Sequence, residues 1–423
     1  MTAGDKASRF QGMTDAKHAR HSRERGLMIA HLPREQQEVV ERVAELARST
    51  FSGRAALYDR TTTFPAEDFD DLFRAGLHAP VVPRSHGGLG LGGDDSLFAL
   101  WMITKELAKA DLSLARCWEG HVNSQVLLAA LGTERQQSHW FEGIVARGEK
   151  WAAWSGEPQT PVPAQKTGVG TALRVVPGGY VVDGTKMFAT SAGEARWAIL
   201  LVNLYGPGGA RHASGPADGL LLLVCDLRDP TVSFDEASWD PIGMRGTVSR
   251  VVRFKQTFLP EEYLLGQPGQ YLRENWQARF SPHYGASFLG AAEAAYGYAR
   301  EYVQTQGKAH DPYVQHRIAT MALNVETGHL WLRHVAGLWQ SGRHDEAKSA
   351  GNRARYLVER WGTDTVDQAV RACGARSLVR PSALERIFRD LSFYVRHDNA
   401  DHLLATIGRE LLGQPCDISF HRP

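Results

Sequence analysis

Two changes of texture, one at Trp151 and one near Leu272, constrain this 423-residue chain more than any other feature. Before the first, REQQEVVERVAELARSTF and DSLFALWMITKELAKADLSLARCWEGHVNSQVLLAALG repeat apolar residues every three or four positions, the spacing of helices with a buried face. Between the two changes lie short runs of strand type: ALRVVPGGYVVDGTKMFAT, with Pro177-Gly178-Gly179 as its turn, then WAILLVNL, GLLLLVCDL and RVVRFKQTFLP. After the second, helical spacing returns through ASFLGAAEAAYGYAREYV, IATMALNVETGHLWLRHVAGLW and RARYLVERWGTDTVDQAVRAC. The expected fold class is α+β: a helical unit over 32–150, a β unit over 151–265 and a helix bundle over 266–423, with a flexible tail over 1–31. LYGPGGARHASGPADG reads as a long, mobile, glycine-rich hairpin connection. The small residues of ASFLGAAEAAYGYA suit close helix approach, in a core or at a subunit interface.

Composition narrows the function. Hydrophobic residues make up 43% and charged residues 22%, an ordinary globular balance. With 48 basic against 47 acidic side chains there is no electrostatic footprint for nucleic acid or an anionic membrane. Cys117, Cys225, Cys373 and Cys416 lie far apart with no zinc-ligand spacing, so no metal is expected and a cytoplasmic setting fits. No apolar run approaches the roughly 18 to 20 residues that span a bilayer. GLHAPVVPRSHGGLGLGGDD does not place its glycines after a strand in GxGxxG form, which argues against a phosphate-cradling Rossmann loop.

Chemistry is expected in RDLSFYVRHDNADHLLATIGRELLG, where His397-Asp398 stands between two segments of helical periodicity. A histidine at such a junction exchanges protons near neutral pH and is the usual general acid or base. Leu403, Leu404, Ile407, Leu411 and Leu412 mark a buried helix face beginning just after the pair. Asp398, three residues before Asp401, therefore has two readings, a partner of His397 or the cap of that helix.

Several spaced motifs resemble the acyl-CoA dehydrogenase superfamily. GLHAPVVPRSHGGLG looks like its PxxxGGxG connection, and KELAKADLSLA like its helix before the substrate pocket. WSGEP, Trp154 to Pro158, stands where the family has a flavin-contacting loop; KMFATSAG, from Lys186, stands for its KxWITN segment. WDPIGMRGT resembles LGxRGS, and CGARSLVRPSALERIFRD resembles GGxGxxxxxPxxRxxRD. The resemblance implies flavin between the β unit and the bundle, usually in a homotetramer. It also implies cofactor contacts at Trp154, Ser155, Gly156, Phe188, Ala189, Thr190, Ser191, Cys373 and Gly374. Hydroxyls of Ser155, Thr190 and Ser191 would bond the flavin's polar edge and Phe188 would pack on its ring.

The family's dehydrogenases remove an α-proton with a carboxylate, commonly the Glu of a YEGT segment. Here that site reads Arg396-His397-Asp398-Asn399, and at the family's other base position only Glu274 is near. The segment is closer to the flavin-dependent monooxygenase branch, which includes dibenzothiophene monooxygenase and the amino-sugar nitrososynthases and carries a His-Asp pair at this offset. The branch takes reduced flavin (FAD or FMN) from a separate NAD(P)H flavin reductase, forms a C4a-hydroperoxyflavin with O2 and oxygenates a small molecule. The catalytic set implied is His397, Asp398, Thr190 and Ser191. The dehydrogenases' pyrophosphate-binding arginine is replaced within QTQGKAHDPYV, with Lys308 and Gln315 as partial substitutes, which suits a flavin that comes and goes. His121, Asn123, His283 and Arg376 are candidate substrate contacts. The expected function is thus oxygenation of a small molecule of specialised metabolism, N-oxygenation of an amino sugar being its most specific form. Alternatives are dehydrogenation of an acyl thioester on CoA or a carrier protein, and a flavin-fold binding partner without catalysis.

Overall fold

The computed structural model describes residues 28–157, 171–204 and 219–414. Residues 1–27 of the expected tail, Pro158, most of the glycine-rich connection and Cys416 lie outside them, whereas Ile29 of the expected tail is buried in the core. The N-terminal part is helical: α1 (Arg34–Leu46) runs through a π-helical turn (Ala47–Phe51) into α2 (Ser52–Thr61), followed by α3 (Ala66–Arg74), α4 (Leu97–Ala110), α5 (Leu112–Leu131) and α6 (Glu134–Arg147). Asp111 separates α4 from α5 because its extended backbone ends one helix while its carboxylate accepts from Ser113 N–H and starts the next. Between α3 and α4 the chain doubles back so tightly that a Cβ on Gly88 would lie 2.1 Å from the Val82 carbonyl oxygen, which only glycine allows.

Among the described residues the middle part is one eight-stranded sheet: β1 (Trp151–Trp154), β2 (Ala172–Val176), β3 (Gly179–Ala189), β4 (Trp197–Leu204), β5 (Leu220–Asp226), β6 (Val232–Asp235), β7 (Arg250–Pro260) and β8 (Leu264–Leu265). The order is β6-β7-β3-β2-β4-β5-β8, with β1 pairing parallel to β4. β2 and β3 form the expected hairpin, Val176 opposite Gly179. β1, β6 and β8 were too short to announce themselves by alternation. The unbroken apolar runs of β4 and β5 are explained by burial on both faces. Trp197, Ile199, Leu201, Leu222 and Val224 join the core of the helices; Ala198, Leu200, Val202, Leu221, Leu223 and Cys225 join a second core with Leu173, Val182, Val252 and Phe254.

The C-terminal part comprises α7 (Gln270–Arg273), α8 (Trp276–Thr305), α9 (Pro312–Gln340), α10 (His344–Cys373), α11 (Ala383–Tyr394) and α12 (Ala400–Leu411). The small-residue stretch of α8 serves an internal crossing: a Cβ on Gly290 would come 2.3 Å from the Lys105 carbonyl oxygen of α4. N- and C-terminal helices consequently share one core. On α12 the expected apolar face divides: Leu403 and Ile407 are buried, whereas Leu404, Leu411 and Leu412 are exposed. Only one narrow stripe of this helix meets α10. Among the described residues, no helix is long and apolar enough to cross a membrane.

Candidate active site

α5 presents Arg116, Glu119 and Asn123 on one face, at the three-to-four spacing that stacks side chains on consecutive turns. Opposite, α8 contributes His283, Tyr284 and Ser287. Glu119 is fully buried and takes three donors: the Ser287 hydroxyl, the Tyr394 phenol at the end of α11, and Arg116 Nη1 at 3.2 Å. Burial pushes its carboxyl up, opposed by Arg116 and the two hydroxyls. His283 Nδ1 lies 2.8 Å from Asn123 Oδ1 and its Nε2 2.6 Å from Thr104 Oγ1. Donation by Nδ1 and acceptance by Nε2 satisfy both, and burial, then Arg116, hold this ring neutral with a pKa pushed down to about 3.

α11 ends in a 3-10 turn (Val395–His397) that sets the His397 ring against two tyrosines, with centroids 5.2 Å from Tyr284 and 5.8 Å from Tyr394. The Arg116 guanidinium stands 5.8 Å from each tyrosine ring. His397 is exposed to solvent in the single chain, although protein atoms crowd one side of its ring. Desolvation by those atoms, then the charges of Arg116 and Arg355, keep its pKa well below the usual imidazole value. The cap of α12 is not Asp398 but Asn399, whose Oδ1 accepts from His402 N–H. Asp398 instead directs Oδ2 toward Arg355 of α10, at 3.8 Å.

On the sheet side, Thr190 and Ser191 follow β3 and are buried. Thr190 Oγ1 is 3.0 Å from Ser249 Oγ, which is 2.8 Å from Thr247 Oγ1; Ser191 N–H donates to the Thr247 carbonyl, and Trp154 Nε1 to that of Thr190. Cys117 Sγ, 4.0 Å from the Thr247 carbonyl oxygen, brings this hydroxyl chain against α5 beside Arg116. Phe188 and Ser191 hold positive φ angles of 50° and 65°, uncommon for residues with a Cβ and a form of local strain that clusters at functional sites. Phe188 remains 57% exposed, edge-on to Trp239, which is edge-on to Phe393. Met244 N–H bonds Asp390 and fastens the sheet to α11.

Other expected contacts fall elsewhere. Ser155 and Gly156 are exposed at the end of β1, and Ala189 is buried in β3. His121 points away from the Glu119 face: it is fully buried, accepts from Trp151 N–H and lies against His78 with the rings tilted 39° and centroids 4.2 Å apart. Gln315 is exposed and donates to the Ala309 carbonyl. Cys373, Gly374 and the exposed Arg376 lie at the C-terminal end of α10, roughly 27 Å along the helix from Arg355 at 1.5 Å per residue. Within one chain these four do not join His397. Lys186 of the KMFATSAG segment is fully buried on Glu157 and the Leu201 carbonyl, a structural role. Glu274 is exposed and bound to Gln270 and Trp276, outside the cleft. Sequence reasoning missed Arg116, Glu119, Tyr284, Ser287, Arg355 and Tyr394. Its one available signal was a charged pair, Arg116 and Glu119, in a helix that carries no other Lys, Arg, Asp or Glu.

Comparison with known proteins places this geometry. Residues 33–149 match the acyl-CoA dehydrogenase N-terminal domain and residues 282–395 the C-terminal domain. The putative acyl-CoA dehydrogenase YdbM of Bacillus subtilis (strain 168) is 27% identical over 375 residues, covering 84% of this chain and 92% of that protein. Dibenzothiophene monooxygenase of Rhodococcus qingshengii is 23% identical over 406 residues, covering 88% and 92%. Among solved structures, FMN-bound TdsC from Paenibacillus sp. A11-2 superposes with a TM-score of 0.80 at 22% identity, covering 91% of this chain and all of that one. Butyryl-CoA dehydrogenase from Megasphaera elsdenii also reaches 0.80, at 19% identity with 90% and 99% covered. With helices, sheet and bundle in this order and both domain families matched, the chain belongs to the acyl-CoA dehydrogenase superfamily.

Proposed function

We propose that this chain is a flavin-dependent oxidoreductase of the oxygenase kind. The residues present fit a flavin ring. Thr190, Ser191, Thr247 and Ser249 supply a row of hydroxyls for a polar edge, and Phe188 leaves an aromatic face open beside it. The occurrence of FMN in TdsC supports the same reading. When bound, reduced flavin together with O2 supplies one oxygen atom to a nucleophilic substrate while the other leaves as water and the flavin is left oxidised.

One observation carries oxygenase over dehydrogenase: the exposed titratable group at this site is the neutral imidazole of His397, while the carboxylates of Asp398, Glu119 and the buried Glu359 each face an arginine. Asp398 is turned to Arg355, and Glu119 is taken up by Ser287, Tyr394 and Arg116. A base for an α-proton would need a free carboxylate within reach of the substrate. In the proposed role His397 holds or returns a proton at a ring nitrogen, its face fixed by Tyr284 and Tyr394. Asn123, His283 and Thr104 form a buried hydrogen-bonded group between α5, α8 and α4.

The finer reading is N-oxygenation of an amine, an amino sugar in its narrowest form, with reduced flavin delivered by a separate NAD(P)H flavin reductase. A homotetramer would bring Gln315, Cys373 and Gly374 of one copy to the flavin of another. The test is to reduce the flavin-loaded protein without oxygen, mix it rapidly with O2 and follow near-ultraviolet absorbance. A transient that outlasts simple reoxidation is expected. Featureless reoxidation, together with bleaching of bound flavin by an acyl thioester, would replace this reading with the dehydrogenase one.

A further inference from the structure

Arg355 is the least satisfied charge in the described part of the molecule. Its side chain is 1% exposed, yet Nε, Nη1 and Nη2 all lack a hydrogen-bond partner. The nearest acceptors are two carboxylates at ion-pair range, Glu359 Oε2 at 3.6 Å one turn along α10 and Asp398 Oδ2 at 3.8 Å across the gap to the loop. Glu359 Oε2 is unpartnered as well. Beneath them the guanidinium stands 5.7 Å from the Phe288 ring, which offers it a face but no acceptor.

A guanidinium buried without full hydrogen bonding is costly, and charge-assisted bonds form near 2.7–2.9 Å, about an ångström shorter than these separations. Something must compensate for such a group, and what it faces is the segment carrying His397. Asp398 Oδ1 accepts from Asn399 N–H at 2.8 Å, and because Asn399 caps α12 in its place, Oδ2 is left for Arg355. We propose that Arg355 is the positioning residue of the His397-Asp398 loop: a buried counter-charge against which Asp398 is set, fixing where the neighbouring imidazole stands in the cleft. Arg355 does not touch the reacting atoms. It acts through Asp398, and through the repulsion that a cation beneath the loop exerts on protonated His397.

Every charged or titratable group facing His397 enters this balance: Arg116 and Glu119 from α5, Tyr284 from α8, Arg355 and Glu359 from α10, Tyr394 from α11, and Asp398 beside it. Of these, Arg116 is held by Glu119, and Tyr394 donates to that same carboxylate. The Arg355–Asp398 pair is therefore the contact whose loss would move the loop while leaving the α5 network whole.

The proposal rests on the reading of His397 as the proton-handling group, so its test includes a measurement that needs no turnover. In the chain carrying ring-labelled histidine, the His397 resonance is identified by its disappearance in His397→Asn and titrated by NMR. In Arg355→Met the midpoint should rise by about one unit, the lower end of what one nearby charge does. In Arg355→Lys, which keeps the cation, it should move by less than half as much. Amide exchange over 395–399 should quicken in Arg355→Met. Should that variant fail to fold, Asp398→Asn serves: removal of the anion beside His397 should lower the midpoint. A midpoint unmoved in Arg355→Met, or in Asp398→Asn, overturns the proposal. A midpoint that moves while oxygenation keeps its pH profile upholds the positioning role and instead overturns the reading of His397.

Discussion

At the scale of single residues, the cleft works by withholding charge. His397 and His283 are both kept neutral, by the walls around them and by Arg116, so the site offers imidazole and not imidazolium through the neutral range. Replacing His397 by alanine should leave the melting temperature near that of the parent and lower turnover ~10²–10⁴-fold, the usual share of a positioned acid or base. His283 gives a pH test with a definite sign. Its folded pKa, near 3, lies below the unfolded value of 6.5, so the unfolded chain binds the extra proton and the stabilisation present above pH 6.5 is lost as pH falls. The stability difference between the parent and His283→Asn should therefore shrink from pH 6.5 toward 3, by at most about 1.4 kcal/mol per pH unit. Denaturant unfolding at several pH values checks it; a difference independent of pH would contradict it. Other buried groups pull the opposite way, Asp390 being raised to about 7, which is why the difference and not the absolute stability is compared.

At the scale of elements, legibility followed periodicity. The long helices and the β2–β3 hairpin were readable because a 3.6-residue or two-residue repeat ran long enough to stand out. β1, with four residues, was not, and β4 and β5 gave no alternation because neither has a wet face. The His397-Asp398 turn was legible as a break between helical repeats. Arg116, Glu119 and Arg355 were not, since an interior charge in a helix looks like a solvated one until the partner helices are placed. The capping of α12 shows how narrow such margins are: the cap is one residue past Asp398. Asn399→Ala should cost about 1 kcal/mol and raise amide exchange in the first turn of α12, whereas Asp398→Ala should disturb the loop before it disturbs that turn. At the α4–α8 crossing, Gly290→Ala should destabilise by ~1–3 kcal/mol, because the new methyl must displace helix backbone at Lys105 and not a flexible side chain.

At the scale of the whole molecule, the proposed division of labour makes the chain dependent on a supplier of electrons. Incubated with flavin, O2, an amine substrate and NADPH alone, it should form no product; a flavin reductase from any source should restore turnover. Product formed from NADPH without a reductase would sink the two-component reading. A different consequence follows from the strands buried on both sides. Strands β4 and β5 have no face of their own to give to water, since the side that carries Trp197, Ile199, Leu201, Leu222 and Val224 is covered by helices encoded before and after the sheet. On that face Trp197 packs against His139 of α6 and Trp151 of β1, and β5 meets α7, so a sheet made without its flanking helices would present an open apolar surface at risk of association with other chains. The segment 151–265 produced alone is accordingly a poor candidate for an independent domain, however clearly its strands are bounded in the sequence.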